Sequence, residues 1–420
     1  MSHWFESAIA RADIPENWQA PARRESLELL KSSSWPTRKT EAWKYTPLRV
    51  VEQAVDYSQS TTTSADAASI VEGLNSVDLP FVNGQLQVNL TDLTVPEGLR
   101  IVALKDVSEA DQAWAAELFS SIKPKRHIFG LLNDVLAADG LLIDVAEGAV
   151  IEQPLRIVHK ITANTDSHLR ILVRVGKGAS VSVIEQHEGS EPSLNTCFAE
   201  YDIAEKASLE HYRFALQTAA ALSAGGSHFQ MHDDSRLNST VVGFGSDLAR
   251  VDVDVIHAGE HAFAKLNAIY LLDGKELFDL HSTIEHTKPN GTTEENVRGI
   301  VADRSRAVFN GRIHIHRDAQ KTLAELNNRN LLMSNKAEIN TKPELEIYAD
   351  DVRCAHGATV AEIDKKALYY MQSRGLSRAQ AQLMLNFGFI NELVDQMPSQ
   401  VLAEWLRPLL RARFAVMDVQ

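Results

Sequence analysis

Between Gly140 and Ile363 the chain is built from short segments that alternate apolar and polar residues, with little room for helix between them. Ile171–Val175, Val181–Ile184 and the run Val251-Asp-Val-Asp-Val255 are examples. Turn signals separate the segments: Gly176, Gly178, Gly189, Gly245, Gly259, Gly274, Gly291 and Asn310-Gly311. A period of two marks strands, and roughly a dozen or more of them in succession make one large all-β unit. Sandwich, barrel and solenoid all satisfy that pattern. No strict repeat of the hexapeptide kind occurs, so period alone does not select a solenoid.

Both flanks read as helical. Arg23–Ser32 places Leu27, Leu29 and Leu30 on one helix face, and Asp106–Ser121 carries Trp114, Leu118 and Phe119 as a buried stripe. Between them, Val77 to Leu104 reads as short strands with a turn at Asn83-Gly84. After Ile363 the period changes again. Asp364 caps a helix that Gly375 stops, and Ser377-Arg-Ala-Gln380 is a capping box for the next. That second helix carries Ala381, Met384, Leu385, Phe387, Phe389, Ile390, Leu393 and Val394, an apolar band wider than one core-facing stripe requires. The band fits a docking surface or a helix pair packed on the end of the β unit. A last helix, Ser399 to Met417, aligns Val401, Trp405, Leu406, Leu409, Leu410 and Phe414. The expected division is residues 1–138 (mostly helical, with a few short strands), 139–363 (β) and 364–420 (helical).

Several function classes are disfavoured. The net charge of −14 opposes binding to nucleic acid or an anionic membrane. No run of about 18 apolar residues is present to span a bilayer. The opening residues, MSHWFESAIARADIP, lack a basic start followed by an apolar core, and a cytoplasmic location is expected. No phosphate-binding loop ending in Gly-Lys-Ser/Thr occurs, so the chain is not expected to bind or hydrolyse nucleotide; Val175-Gly-Lys-Gly-Ala179 reads as a turn. Serine-elbow and zinc-protease motifs are missing too, which points away from an enzyme. The two cysteines, Cys197 and Cys354, form neither a disulfide framework nor the four-thiolate set of a conventional iron–sulfur site within one chain.

What chemistry remains centres on Cys354-Ala-His356. On a strand, residues two apart share a face, so a thiolate and an imidazole lie on one side. Two readings fit: a soft-metal ligand pair, with the imidazole able to lower the thiol pKa, or a buried cysteine beside a hydrogen-bonded histidine. Cys197, between β-type segments, reads as core. His314-Ile-His316 is a second same-face pair, flanked upstream by His281 and His286, but no carboxylate is placed by sequence to complete a metal site. Glu294, Glu295, Glu344, Glu346, Asp350 and Asp351 read as a solvated face, with Asp350-Asp351 near enough to Cys354 in sequence to attract iron.

The stretch Lys342-Pro-Glu-Leu-Glu-Ile-Tyr-Ala-Asp-Asp-Val-Arg-Cys-Ala-His-Gly-Ala-Thr359 resembles the signature of the SufB/SufD family of iron–sulfur assembly scaffolds. Val308–Arg312, Ala319–Thr322 and Asn330–Ser334 resemble other core motifs, and Trp35-Pro-Thr-Arg-Lys-Thr-Glu-Ala-Trp-Lys-Tyr-Thr-Pro47 resembles the N-terminal signature of the SufD branch. The low cysteine count favours that branch over a SufB-like, self-pairing scaffold. A β-helical carbohydrate-active protein using His314 and His316 is the reading from another class. The resemblance implies a mainly β fold: a right-handed parallel β-helix between helical terminal domains. It implies pairing with SufB through the β-helix and docking of the ATPase SufC on the C-terminal helices, where Met384, Phe387, Phe389, Ile390 and Leu393 are candidates. A homodimer in isolation is also compatible. It implies further that Cys354 and His356 lie at the SufB–SufD interface and share iron or a transient iron–sulfur cluster with SufB. The residues carry no signature that decides on a flavin. Ala355 and Met333 depart mildly from the family pattern, where Ser and Leu are common.

Overall fold

The computed structural model describes residues 3–53, 69–137, 139–162 and 165–417; the expected boundary at residue 138 falls outside these. From Asp139 to Ala361 successive strands alternate between two sheets, and each strand from Thr165–Val175 to Leu323–Leu332 pairs in parallel with the strands two places before and after it. That is a parallel β-solenoid. The nine-stranded sheet runs from Leu99–Ala103 to Glu338–Ile347, and the ten-stranded sheet from the Val77–Val82/Gln85–Leu86 hairpin to Arg353–Ala361. The hairpin turns on Asn83 and Gly84, both at positive φ (50° and 82°).

The coil advances by 28, 28, 27, 29, 31 and 30 residues between register partners, from Ser180↔Ser208 through Ser208↔Arg236, Arg236↔Phe263, Phe263↔Thr292 and Thr292↔Leu323 to Leu323↔Arg353. A drifting period of this length explains why no hexapeptide repeat is visible. One corner of each turn is set by a left-handed residue. Gly148, Gly178, Lys206, Asp234, His261, Asn290 and Lys321 have φ between 57° and 70°. Their amides reach the next turn: Gly178 donates to the Glu205 carbonyl (2.9 Å), Lys206 to Asp233 (2.8 Å) and Asp234 to Glu260 (2.8 Å).

The solenoid interior is mostly Leu, Ile, Val, Ala and Phe, with buried polar side chains such as Glu185, His211 and His286 set among them. Each sheet also buries part of its outer face. Helices His3–Ala10, Ala20–Ser32 and Ile128–Leu136 cover the nine-stranded sheet over Leu194, Phe198, Leu222, Leu248 and Val308. Helices Arg378–Val394 and Gln400–Val416 cover the ten-stranded sheet over Phe214, Val242, Ile269 and Ile300. Central strands are therefore buried on both faces, as in Ser193–Ile203, where all but one residue is buried.

Charge stitches the N-terminal segment to the nine-stranded sheet. Asp252 and Asp254 of the alternating run point outward but are buried beneath that segment. Arg250 binds Asp252 (2.9 Å), Asp279 (3.0 Å) and the Ala42 carbonyl (2.6 Å), and stacks on Trp43 at 4.1 Å. Thr46 donates to Asp279 (2.6 Å), and His127 and His228 both reach Oδ2 of Asp254 (2.9 and 2.8 Å). The Trp35–Pro47 block is thus the seat of this network.

The C-terminal helices begin as their sequence signals require. Asp364 accepts from the amides of Lys366 (2.8 Å) and Ala367 (3.3 Å), Gly375 has φ 93°, and Ser377 with Gln380 forms a capping box.

Asn310-Gly311 is not a turn; it lies inside strand Arg306–Ile315. Glycine is required there for space: a Cβ on Gly311 would stand 2.5 Å from Cδ1 of Leu326 and 2.7 Å from Cζ of Phe309. Gly311→Ala should lower stability by about 1–3 kcal/mol through overpacking, whereas Asn310→Ala on the outer face should be near neutral. Urea unfolding measures both, and an unchanged midpoint for Gly311→Ala would contradict this packing.

Candidate functional site

Cys354 and His356 sit on Arg353–Ala361, the last strand of the ten-stranded sheet, in register with Ala324 and Leu326. Ala324 and Leu326 belong to the solenoid interior. Their partners on the last strand therefore share the inward side at the end of the coil. Cys354 is half-buried and packs against the interior core, while His356 is exposed. Burial raises the Cys354 thiol above its ordinary value, only partly offset by a backbone hydrogen bond with Ala324. The expectation that the imidazole lowers this thiol is not met. Among the described residues, neither Cys354 nor His356 belongs to a group of three metal-competent donors within 4.8 Å. Asp350 and Asp351 are exposed at the preceding bend, where the Asp351 amide donates to Gln320 (2.9 Å) and the Lys321 amide to the Asp351 carbonyl (2.5 Å).

Cys197 is core. It lies inside the solenoid beside Glu185 and His187, and burial pushes its thiol up to about 12. Glu185 is already satisfied by Tyr201 (2.8 Å), His211 (2.8 Å), Arg213 (2.6 Å) and Ser227 (2.8 Å), which makes this cluster an internal cross-brace between the sheets.

His281 and His286 share the strand Leu277–His286 but face opposite ways. His281 pairs with Asp279 on the outer face (2.9 Å), and His286 stacks on His257 in the interior, ring centroids 4.1 Å apart. His314 and His316 do meet, their rings stacked at 4.2 Å, and Glu285 joins them from the neighbouring strand. Sequence reading missed that carboxylate because only strand register brings it there.

Of the acids read as a solvated face, Glu295 is instead buried, in register between Leu266 and Leu326. It lies one strand below the Leu326–His356 pair.

On the C-terminal helices, Met384 is exposed, Phe387 and Phe389 are half-buried, and Ile390 and Leu393 are buried against the ten-stranded sheet. The last two anchor the helix and offer no surface. Exposed apolar area gathers instead at Tyr369, Tyr370, Leu383 and Met384. Helix Lys365–Ser373, which carries the two tyrosines, has no buried residue at all.

Glu295 yields a pH test. Burial raises its carboxyl from 4.5 to about 7, partly offset by the Ser282 hydroxyl. Between those values the folded chain binds more protons than the unfolded one, so stability falls as pH rises through the window. Glu295→Gln should exceed the parent at about pH 8 by up to about 3 kcal/mol, with the gap closing below 4.5. A gap in urea unfolding that does not change with pH would refute the burial argument.

Comparison with known proteins shows the family. Residues 159–389 match the model for the SufBD core domain of SUF-system FeS cluster assembly, and residues 15–157 match the SufBD N-terminal region. The chain is 31% identical over 404 residues, 92% of its length and 91% of the relative's, to the iron–sulfur cluster assembly protein SufD of Escherichia coli strain K12. It is 26% identical over 409 residues (93% and 90%) to a SufBD family iron–sulfur cluster assembly protein of Synechocystis, and 26% identical over 401 residues (92% and 84%) to the chloroplastic protein ABCI7 of Arabidopsis thaliana.

Proposed function

The chain belongs to the SufBD family of SUF-system iron–sulfur cluster assembly proteins, and from that premise we propose that it is a SufD-type scaffold subunit that pairs with a SufB-type chain through the C-terminal end of its solenoid. The observation that carries this reading is the state of the last two strands. Glu338–Ile347 and Arg353–Ala361 are the outermost strands of their sheets and hold no buried residue, whereas Ser193–Ile203 in the middle of the coil is buried at all but one position. A strand edge of that length offers a row of unpaired amides and carbonyls to a second chain. Cys354 and His356 lie on that edge strand, so a partner docked there completes their ligand set.

In this reading iron, or a nascent cluster, is the cargo rather than a resident cofactor. His356 supplies an accessible imidazole. Cys354 supplies a thiol held protonated until an ion or a partner's charge favours the thiolate. The chain itself does no bond-making chemistry. ATP is handled by a SufC-type subunit docked on the C-terminal helices, where Tyr369, Tyr370, Leu383 and Met384 are the exposed large apolar side chains. A cytoplasmic setting fits this role; no helix of the described residues is long and apolar enough to cross a membrane.

Reconstitution with SufB-type and SufC-type partners tests the site. His356→Ala should lower iron and sulfide recovered with the complex by about tenfold or more, the range seen when a metal-site residue is lost, while the complex still assembles. Wild-type iron content in that variant would rule the assignment out. The dock is tested separately. Met384→Asp should release the ATPase in co-purification and leave the thermal midpoint unchanged, whereas Ile390→Asp should unfold the helical pair, because Ile390 is buried.

A further inference from the structure

His314-Ile-His316 is a pair of chemistry-bearing residues that the scaffold reading leaves unused. In Arg306–Ile315, Phe309, Ile313 and Ile315 point into the solenoid, which puts His314 on the outer face. His316 follows just past the strand's end on the same side. The two rings stack with planes 12° apart. The neighbouring strand, Leu277–His286, pairs in register so that Glu285 lies beside His314. Nε2 of His316 faces Oε2 of Glu285 at 3.5 Å, and no hydrogen bond satisfies that nitrogen. The His316 side chain is otherwise 42% exposed, so its unsatisfied nitrogen is turned toward the carboxylate and not toward solvent. One ligand atom from each of the three residues lies within 4.8 Å of the other two.

Two imidazoles and one carboxylate suit first-row divalent transition ions, and three protein donors leave coordination positions free for water or an incoming ligand. All three residues are half-exposed, and a rotation of the stacked rings about their side-chain bonds is needed to aim both lone pairs at one ion. A fixed positive charge lies beside the cluster: the Arg312 guanidinium is 3.4 Å from Nδ1 of His314. It is held by Glu346 through two bonds (2.9 and 2.7 Å), which offsets its repulsion of a cation. Burial, then His316 and Arg312, lowers the proton affinity of His314 and favours the neutral ring.

We propose that Glu285, His314 and His316 form a surface site for a divalent transition-metal ion on the outer face of the nine-stranded sheet. It is separate from the Cys354–His356 edge, which faces the interior of the other sheet, and it stands on its own donors whether or not the scaffold reading holds.

The test uses full-length, untagged protein carrying Cys354→Ser and His356→Ala, so that the strand edge contributes no ligand. Co(II) titration followed by visible absorbance should show one equivalent bound with nitrogen- and oxygen-ligand bands. Competition with Fe(II) under anaerobic conditions and with Zn(II) then ranks the ions. His316→Ala and Glu285→Gln, each added to that background, should weaken Co(II) by about tenfold or more with no change in thermal midpoint. Binding that is indifferent to both substitutions, or no stoichiometric Co(II) binding in the parent background, would overturn the site.

Discussion

Every turn of this molecule depends on the parallel ladder it makes with the turns on either side. Within the coil a strand's hydrogen-bond partners are not its neighbours in sequence; they lie a full turn away, here 27 to 31 residues in the ten-stranded sheet. Interior turns satisfy both edges, and terminal turns satisfy one. At the N-terminal end the ten-stranded sheet closes with the two-residue strand Gln85–Leu86, and the nine-stranded sheet with the five-residue Leu99–Ala103. At the C-terminal end the edges are ten and nine residues long. Unpaired edges of that length are a liability for a chain left alone and a template for a chain with a partner.

The helices determine where the molecule is finished and where it is open. They clamp the outer faces of both sheets over the central turns, and the charged network through Arg250, Asp252, Asp254 and Asp279 fixes the N-terminal clamp in register. Breaking such a buried network from one side leaves an uncompensated charge, so it specifies a single seating for the Trp35–Pro47 block. The N-terminal clamp reaches Glu338–Ile347 through the Glu41–Lys342 ion pair, yet no residue of Glu338–Ile347 or Arg353–Ala361 is buried. Exposure there follows from the architecture, and it falls on the strand that carries Cys354 and His356.

Much of this was legible in the residues. The strand-rich middle, the helical flanks, the Asn83-Gly84 turn, the Asp364 cap and the Ser377–Gln380 capping box all depend on local spacing, and local spacing is what a sequence displays. The coil period was hidden because the left-handed corners are mostly not glycine: two of the seven are Gly, and Lys206, Asp234, His261, Asn290 and Lys321 fill the rest. Asn310-Gly311 misled because glycine serves close packing as well as turns. Glu295 misled because an alternating strand buried on both faces hides its charges as well as its apolar residues. The same-face pairs Cys354/His356 and His314/His316 were visible from a spacing of two. Glu285 was not, since it comes from a strand one coil earlier.

The proposed pairing puts a partner chain on the open C-terminal edge. Hydrogen exchange on the chain alone and mixed with a SufB-type partner measures this directly, because a ladder amide exchanges only when its bond opens. The account predicts that amides of Glu338–Ile347 and Arg353–Ala361 slow by about tenfold or more on mixing, while those of the central strands do not change. A stable complex in which these two strands exchange as fast as in the free chain would contradict it.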